Sequence, residues 1–459
     1  VLSIEKSFQN PYLAAGDGRA ENEFRVGEQV NYQVTVNNLQ KGSIARNLVI
    51  SDPSLPEGLA LDGAEDAVTV SGVPAVIQNP VAGTDDAGNQ LNPENYKETV
   101  EKPVSCQVTR QGTGWIVTIS DLPYQTPVTV NFRCTAQESV NGMEIVNTAQ
   151  AYADNAQKVK DSSKIWVNSP VLKVEKTTDK PFYKYGDIIT YRIVLTQEQT
   201  GCVARNVTLQ DVIDTQGVRL LKDSVILMDE KGNVADADVQ INDDNTFLMS
   251  TGRTLVRDNR YSICDNDKGG LFEQVMYNPL DCQEQKSMIV EYQAAVIDAA
   301  LAGQKVHNTA VADSSEKIPA TGDAETEVHS PILEIVKESD KKEYASGEKG
   351  YYKLTVRQLR EDVTDQNIVI EDKLETQGAS IVKDSIFVKK NGIELKDAKI
   401  EADDTGFVIQ TGASLSDMDK IEVCYEMVFK TESTEPEKIV NTAKARGDIS
   451  PEITAQQEA

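Results

Sequence analysis

The sequence predicts an all-β chain arranged as an array of sandwiches. Short Val/Ile/Thr-rich runs recur throughout, broken by Gly, Asn, Asp and Pro clusters that include 28 Gly and 16 Pro, the pattern of packed strands joined by turns. No long stretch shows helical periodicity. At 459 residues the chain fits about three domains of roughly 150 residues.

Self-similarity places the elements. The segments "FRVGEQVNYQVTV" (24–36), "YKYGDIITYRIVL" (183–195) and "YASGEKGYYKLTV" (344–356) read as one strand entered through a glycine turn. Each is followed by "ARNLVISD" (45–52), "ARNVTLQD" (204–211) or "DQNIVIED" (365–372), with Gly27, Gly186 or Gly347 always 25 residues before the Asp (52 − 27, 211 − 186, 372 − 347). Asn47, Asn206 and Asn367 stand five before that Asp. Upstream lie "VLSIEK" (1–6), "VLKVEK" (171–176) and "ILEIVK" (332–337), and downstream "EIVNTAQA" (144–151), "KVHNTAVA" (305–312) and "EKIVNTAKA" (437–445). The prolines of "SPVLKVEK" and "SPILEIVK" mark the joins, giving domains 1–168, 169–330 and 331–459. Short linkers argue for stacked domains. Domain 1 carries extra residues near 70–102 and domain 2 near 260–283. Insertions in such repeats map to loops, where binding specificity is usually carried.

Composition narrows the function. The formal charge is −27, from 73 acidic and 46 basic residues, which repels phosphate backbones and anionic lipid. This argues against nucleic acid and membrane partners. Only His307 and His329 are available for imidazole chemistry, and neither a metal site nor a cofactor site is read from the sequence. No apolar run has the length of a membrane span. No signal peptide opens the chain, whose first residues already read as a strand, so it is expected to be a piece of a longer protein. Among six cysteines, Cys264 with Cys282 and Cys106 with Cys134 are candidate disulfides. Buried free thiols are an equal alternative.

Strand parity turns three polar residues of each copy toward the apolar side. Lys6, Lys176 and Lys337 share a face with Leu2 and Ile4, Leu172 and Val174, or Leu333 and Ile335. Asp52, Asp211 and Asp372 follow two apolar residues at the same spacing. Asn147, Asn308 and Asn441 lie between Ile145 and Ala149, Val306 and Ala310, or Ile439 and Ala443. Two readings follow. The first is a buried Lys–Asp ion pair with an Asn hydrogen bond. The second is chemical: in an apolar site Lys sheds its proton and Asp holds one, so the amine can attack the Asn carboxamide while the Asp shuttles protons.

These "VEK", "NVTLQD" and "VNTA" strands resemble the isopeptide-forming immunoglobulin-like domains of Gram-positive fimbrial subunits and cell-wall adhesins. The resemblance covers nearly the whole chain. It implies three tandem immunoglobulin-like sandwiches forming an elongated rod, with cross-links Lys6–Asn147, Lys176–Asn308 and Lys337–Asn441 assisted by Asp52, Asp211 and Asp372. The first copy departs most, with 21 residues from Lys6 to Gly27 against 10 in the others. The expected role is a structural, extracellular cell-wall protein, a fimbrial subunit or adhesin stalk, and not an enzyme, since each bond forms once. Its partners would be neighbouring subunits or the cell wall through sortase. The alternative role is a ligand-binding adhesin, its inserted loops recognising a host matrix protein or a glycan.

Weaker motifs are read as incidental. "IPATG" (318–322) lacks the apolar span and basic tail of a sorting signal. "RGD" (446–448) falls at a strand end, "DNDKG" (265–269) reads as a solvated acidic loop rather than a calcium loop, and Trp115 and Trp166 as packing residues.

Overall fold

The computed structural model describes residues 1–15, 18–80, 86–89, 99–242, 245–258, 261–274, 285–430, 435 and 437–458. Three separate buried cores follow one another along the chain, the first from Leu2 to Val167, the second from Leu172 to Val328 and the third from Leu333 to Ala445. Each fills the space between two sheets. In one sheet the Lys-bearing strand (Leu2–Gln9, Leu172–Thr178 or Leu333–Ser339) pairs antiparallel with the glycine-turn strand. That strand in turn pairs with Val128–Ala136, Ser287–Val296 or Lys420–Phe429. The other sheet holds the Asp strand (Ile44–Asp52, Thr208–Ile213 or Val369–Leu374) beside the Asn strand (Glu144–Ala153, Lys305–Asp313 or Val440–Arg446). Lys therefore faces Asp and Asn across the core. The Asn strand is not the last of its unit: Ala156–Val167, Ala320–Val328 and Ile453–Glu458 follow it as antiparallel partners.

The recurrent turn residues have a conformational cause. Gly27, Gly186 and Gly347 adopt φ of 84°, 87° and 86°, and Asn47, Asn206 and Asn367 adopt 48°, 49° and 51°. This left-handed region suits Gly and, among other residues, Asn.

The two insertions behave differently. Val76–Pro80 and Thr99–Pro103 form a hairpin of their own in the first unit. From the second insertion, Tyr261–Asp265 and Gly270–Gln274 form a hairpin that leaves its own sandwich. Ile263, Cys264 and Asp265 pair parallel with Glu144, Ile145 and Val146 of the first Asn strand, in that order. The rest of that insertion, 275–283, lies outside the described residues.

A proline explains why this edge is open. In the second and third sandwiches the Asp strand runs on past Asp211 and Asp372, pairing Ile213 with Asn308 and Leu374 with Asn441. In the first, Pro53 follows Asp52, and pairing with the Asn strand ends at Gln150↔Ser51. Proline has no N–H to extend the ladder. An unpaired strand edge recruits another strand, and here the recruit comes from the next sandwich.

The first and second sandwiches also share a buried ionic junction. Arg205 donates from Nη1 to Glu23 Oε1 at 2.9 Å, from Nη2 to Glu23 Oε2 at 2.8 Å, and from Nη1 to Glu316 Oε1 at 2.8 Å. Asn168 Nδ2 donates to Glu23 Oε1 at 2.7 Å. Between the second and third, His329 Nδ1 lies 2.7 Å from Asp362 Oδ2, with its ring stacked on Phe182.

Two expectations are corrected. Cys106 and Cys134 are not paired: Cys106 is exposed on the strand Cys106–Gln111 and Cys134 is buried in the opposite sheet, and both are free. Cys264 is also a free, buried thiol, turned toward the first sandwich with its Sγ 3.5 Å from the Glu57 carbonyl; Cys282 lies outside the described residues. The "DNDKG" segment is the turn of the docked hairpin: Asp267, Lys268 and Gly269 are exposed, while Asp265 is 4% exposed and accepts from Asp267 N–H at 2.9 Å.

The other motifs are absorbed by the fold. In "IPATG", Gly322 sits in a strand so close to the Lys strand that a Cβ would fall 2.5 Å from the Val174 carbonyl oxygen. In "RGD", Asp448 accepts from Asn367 Nδ2 at 2.7 Å, and Gly447 packs against Asp365. Trp115 is fully buried in the core, and Trp166 Nε1 donates to the Gly201 carbonyl at 3.2 Å.

Candidate functional site

All nine residues singled out by strand parity are buried: each Lys is 5–7% exposed and each Asp and Asn 0–2%. Lys6 Nζ donates to Asp52 Oδ2 at 2.8 Å and Lys337 Nζ to Asp372 Oδ2 at 2.5 Å, and Lys176 makes the same bond to Asp211. Aromatic rings wall the first two ammoniums: Lys6 Nζ lies 5.2 Å from the centroids of both Tyr32 and Phe132, and Lys176 Nζ 5.2 Å from Tyr191 and 5.6 Å from Tyr292.

Burial opposes charge on both partners. It lowers the Lys6 pKa and pulls Lys176 and Lys337 down to about 8, although the neighbouring carboxylate pushes the other way. It raises Asp52, Asp211 and Asp372 against the pull of their lysines. The environment thus moves the pair toward neutral amine and neutral acid.

The structure adds a residue that parity had not singled out. Tyr292 Oη donates to Asp211 Oδ1 at 2.6 Å and accepts from Asn308 Nδ2 at 2.6 Å. Tyr425 does the same in the third sandwich, 3.1 Å from Asp372 Oδ2 and 2.9 Å from Asn441 Nδ2. The tyrosine ties acid to amide and turns the carboxamide nitrogen toward the proton-carrying groups. The carbonyl oxygens of Asn308 and Asn441 find no hydrogen-bond partner among the described residues. A signal existed in the aligned strands "VEYQAAV" (290–296) and "VCYEMVF" (423–429), but the first copy reads "VNFRCTA" (130–136), with Phe132 in that place. The rings coincide: Phe132 lies 5.0 Å from Trp115, as Tyr292 does from Phe247, and Tyr425 lies 5.1 Å from Phe407.

Among the described residues no cluster of three or more His, Cys, Asp or Glu side chains is disposed to hold a metal ion.

No family model matches the chain, and no curated protein matches it in sequence. Similar solved structures include the C-terminal domain of the Streptococcus agalactiae AgI/II polypeptide BspA, with 10% identity over 62% of this chain and 99% of that one, at TM-score 0.32. The C-terminal domain of the Streptococcus pyogenes antigen I/II-family protein AspA gives 9% identity, 62% and 98% coverage, and TM-score 0.31. A collagen-binding domain from a Staphylococcus aureus adhesin gives 11% identity over 27% of this chain and 95% of that one, at TM-score 0.21. A likeness this loose carries nothing about ligand or chemistry.

Proposed function

We propose that the chain is part of an extracellular structural protein of a Gram-positive cell wall, a fimbrial subunit or adhesin stalk. Its three domains, 1–168, 169–330 and 331–459, would form a rod in which each sandwich is locked by a self-formed amide bond. The observation that carries this reading is the thrice-repeated Lys–Asp–Asn group, buried in surroundings that oppose the charge on both ionisable partners. An ion pair kept only for stability is poorly served by such a site, since desolvation offsets its attraction.

The chemistry balances without a cofactor. The neutral Lys Nζ attacks Asn Cγ, and the Asp passes a proton from Nζ to Nδ2. The C–Nδ2 bond then breaks, releasing ammonia and leaving a Lys–Asn amide with the Asp restored. Contact within the fold supplies the effective concentration. The bonds close loops of 141, 132 and 104 residues (147 − 6, 308 − 176, 441 − 337) and bridge the two sheets. A pulling force would cross from Lys strand to Asn strand through covalent bonds, bypassing the rest of the core. The strand that follows the Asn strand in each sandwich lies outside the closed loop and would carry load.

Intact mass tests this directly. The mature chain is expected to weigh three ammonias less than its sequence. Lys337→Ala is expected to show only two such losses, and a full-mass wild-type chain would overturn the reading.

The pH dependence follows from the shared proton. Neutral amine with neutral acid carries the same number of protons as the ion pair, so the reactive form is a fixed fraction of that state. Adding a proton blocks the amine; removing one leaves the Asp unable to protonate the leaving nitrogen. Ammonia release from freshly refolded, unlinked chain is therefore expected to follow a bell-shaped pH profile. In the second and third sandwiches it should fall above about pH 8, where Lys176 and Lys337 titrate. A rate that keeps rising through pH 10 would exclude the acid's role.

A further inference from the structure

The first sandwich lacks the tyrosine that serves the other two, and its site is completed from the second. Asn266, at the turn of the docked hairpin, inserts its carboxamide where Pro53 breaks the ladder. Its Oδ1 accepts from Thr148 N–H at 2.9 Å and its Nδ2 lies 3.3 Å from the Thr148 carbonyl, so one side-chain amide imitates the missing peptide group. The same Nδ2 reaches Ser54 O at 3.0 Å, Asn147 Oδ1 at 3.1 Å and Asp52 Oδ1 at 3.3 Å. It thus touches both the acid and the amide of the site, as Tyr292 and Tyr425 do in theirs. The carboxamide of Asn147 is turned accordingly, with its carbonyl oxygen toward the Asn266 donor.

We infer that Asn266 is a catalytic group for the first cross-link, supplied across the domain boundary, so that Lys6–Asn147 closes only after the second sandwich has docked its hairpin. The inference rests on the cross-linking reading above. Attack on Asn147 Cγ places negative charge on Oδ1, and the Asn266 N–H is aimed at that oxygen, as an oxyanion-hole donor is. Lys6 Nζ still supplies the new bond and Asp52 still carries the proton to the departing ammonia; Asn266 is unchanged by the reaction. The hairpin is held independently of this side chain, by the backbone pairing at 144–146, by buried Ile263 and Cys264, and by an ion pair between Lys160 and Asp267. The contact also orders maturation: residues 1–153 hold the three reacting side chains, but the chain must continue past 266 before the site is complete.

The test uses the full chain, with each bond read separately by peptide mapping of cross-linked fragments over time after refolding. Asn266→Ala is expected to slow the Lys6–Asn147 bond by roughly a hundredfold or more, the effect of losing one oxyanion donor, while Lys176–Asn308 and Lys337–Asn441 form at the wild-type rate. Adding Phe132→Tyr to that variant supplies the hydroxyl that the other sandwiches use and is expected to restore the first bond; a residue that merely plugged the ladder gap would not be replaced this way. Wild-type linking in Asn266→Ala, a double variant that stays unlinked, or a Lys6–Asn266 cross-linked peptide each overturns the assignment. A chain in which none of the three bonds forms overturns the underlying reading instead.

Discussion

Asp211→Ala is expected to leave Lys176 and Asn308 as separate side chains, so that the variant falls short of its own sequence mass by two ammonias where the wild type falls short by three. The acid is the proton carrier between Nζ and the leaving nitrogen, and Tyr292 is already engaged with Asp211 and Asn308. The variant should also be much less stable. By analogy with a disulfide, closing a loop of 132 residues (308 − 176) is worth about 4–5 kcal/mol. A buried amine left without its partner costs about 1–3 kcal/mol more. For a unit of this size about 1 kcal/mol moves the midpoint by about 2–4 °C, so one calorimetric transition should fall by roughly 10–30 °C while those of the other sandwiches stay. Stability alone does not separate the two readings of the site, because breaking a purely ionic buried pair costs about 3–5 kcal/mol. Mass does. A variant that still falls three ammonias short of its own sequence mass would show that the carboxylate is structural.

What was legible in the sequence was what period and repetition encode. Alternation in three aligned strands turned Lys6, Asp52 and Asn147 inward, and the structure buries all three. The recurrent Asn47, Asn206 and Asn367 were visible as a pattern, but their cause, a positive φ, belongs to the backbone. The tyrosines were within reach of the same parity argument; Phe132 broke the concordance that would have exposed them. Asn266 was out of reach. Its contact with Asn147 spans 119 residues (266 − 147) and joins two sandwiches, and no local pattern reports such a meeting. The one local sign was Pro53, a strand breaker directly after an inward-facing Asp. The cysteine pairing failed for a related reason: spacing shows that two residues lie on strands, not that the strands face one another.

Arg205→Ala carries the second large effect, at the junction on which the shared site depends. The guanidinium spans the boundary between sandwiches, held by Glu23 of the first and Glu316 of the second, with both carboxylates only 2% exposed. Removing it leaves two buried acids without the cation that bonds both, with the more distant Arg25 still near them. Breaking a buried pair in this way costs about 3–5 kcal/mol. Arg205→Lys should recover little, because an ammonium does not reproduce the planar fork that bonds Glu23 with two nitrogens. The expected result is a first sandwich that hinges on the second, seen as faster amide hydrogen exchange at Val203, whose N–H donates to Asn168 Oδ1 at 2.8 Å across the junction. The second and third sandwiches should keep their bonds. Because the hairpin reaches the first sandwich from the second, loosening the junction should also slow the Lys6–Asn147 bond, more weakly than Asn266→Ala does. A triple variant, Arg205→Met with Glu23→Gln and Glu316→Gln, removes the charges together and should recover much of the lost rigidity, since an apolar or neutral filling of such a site is often as stable as the ion pair. If Arg205→Ala exchanges and cross-links as the wild type does, the ionic junction is not what holds the two sandwiches in register.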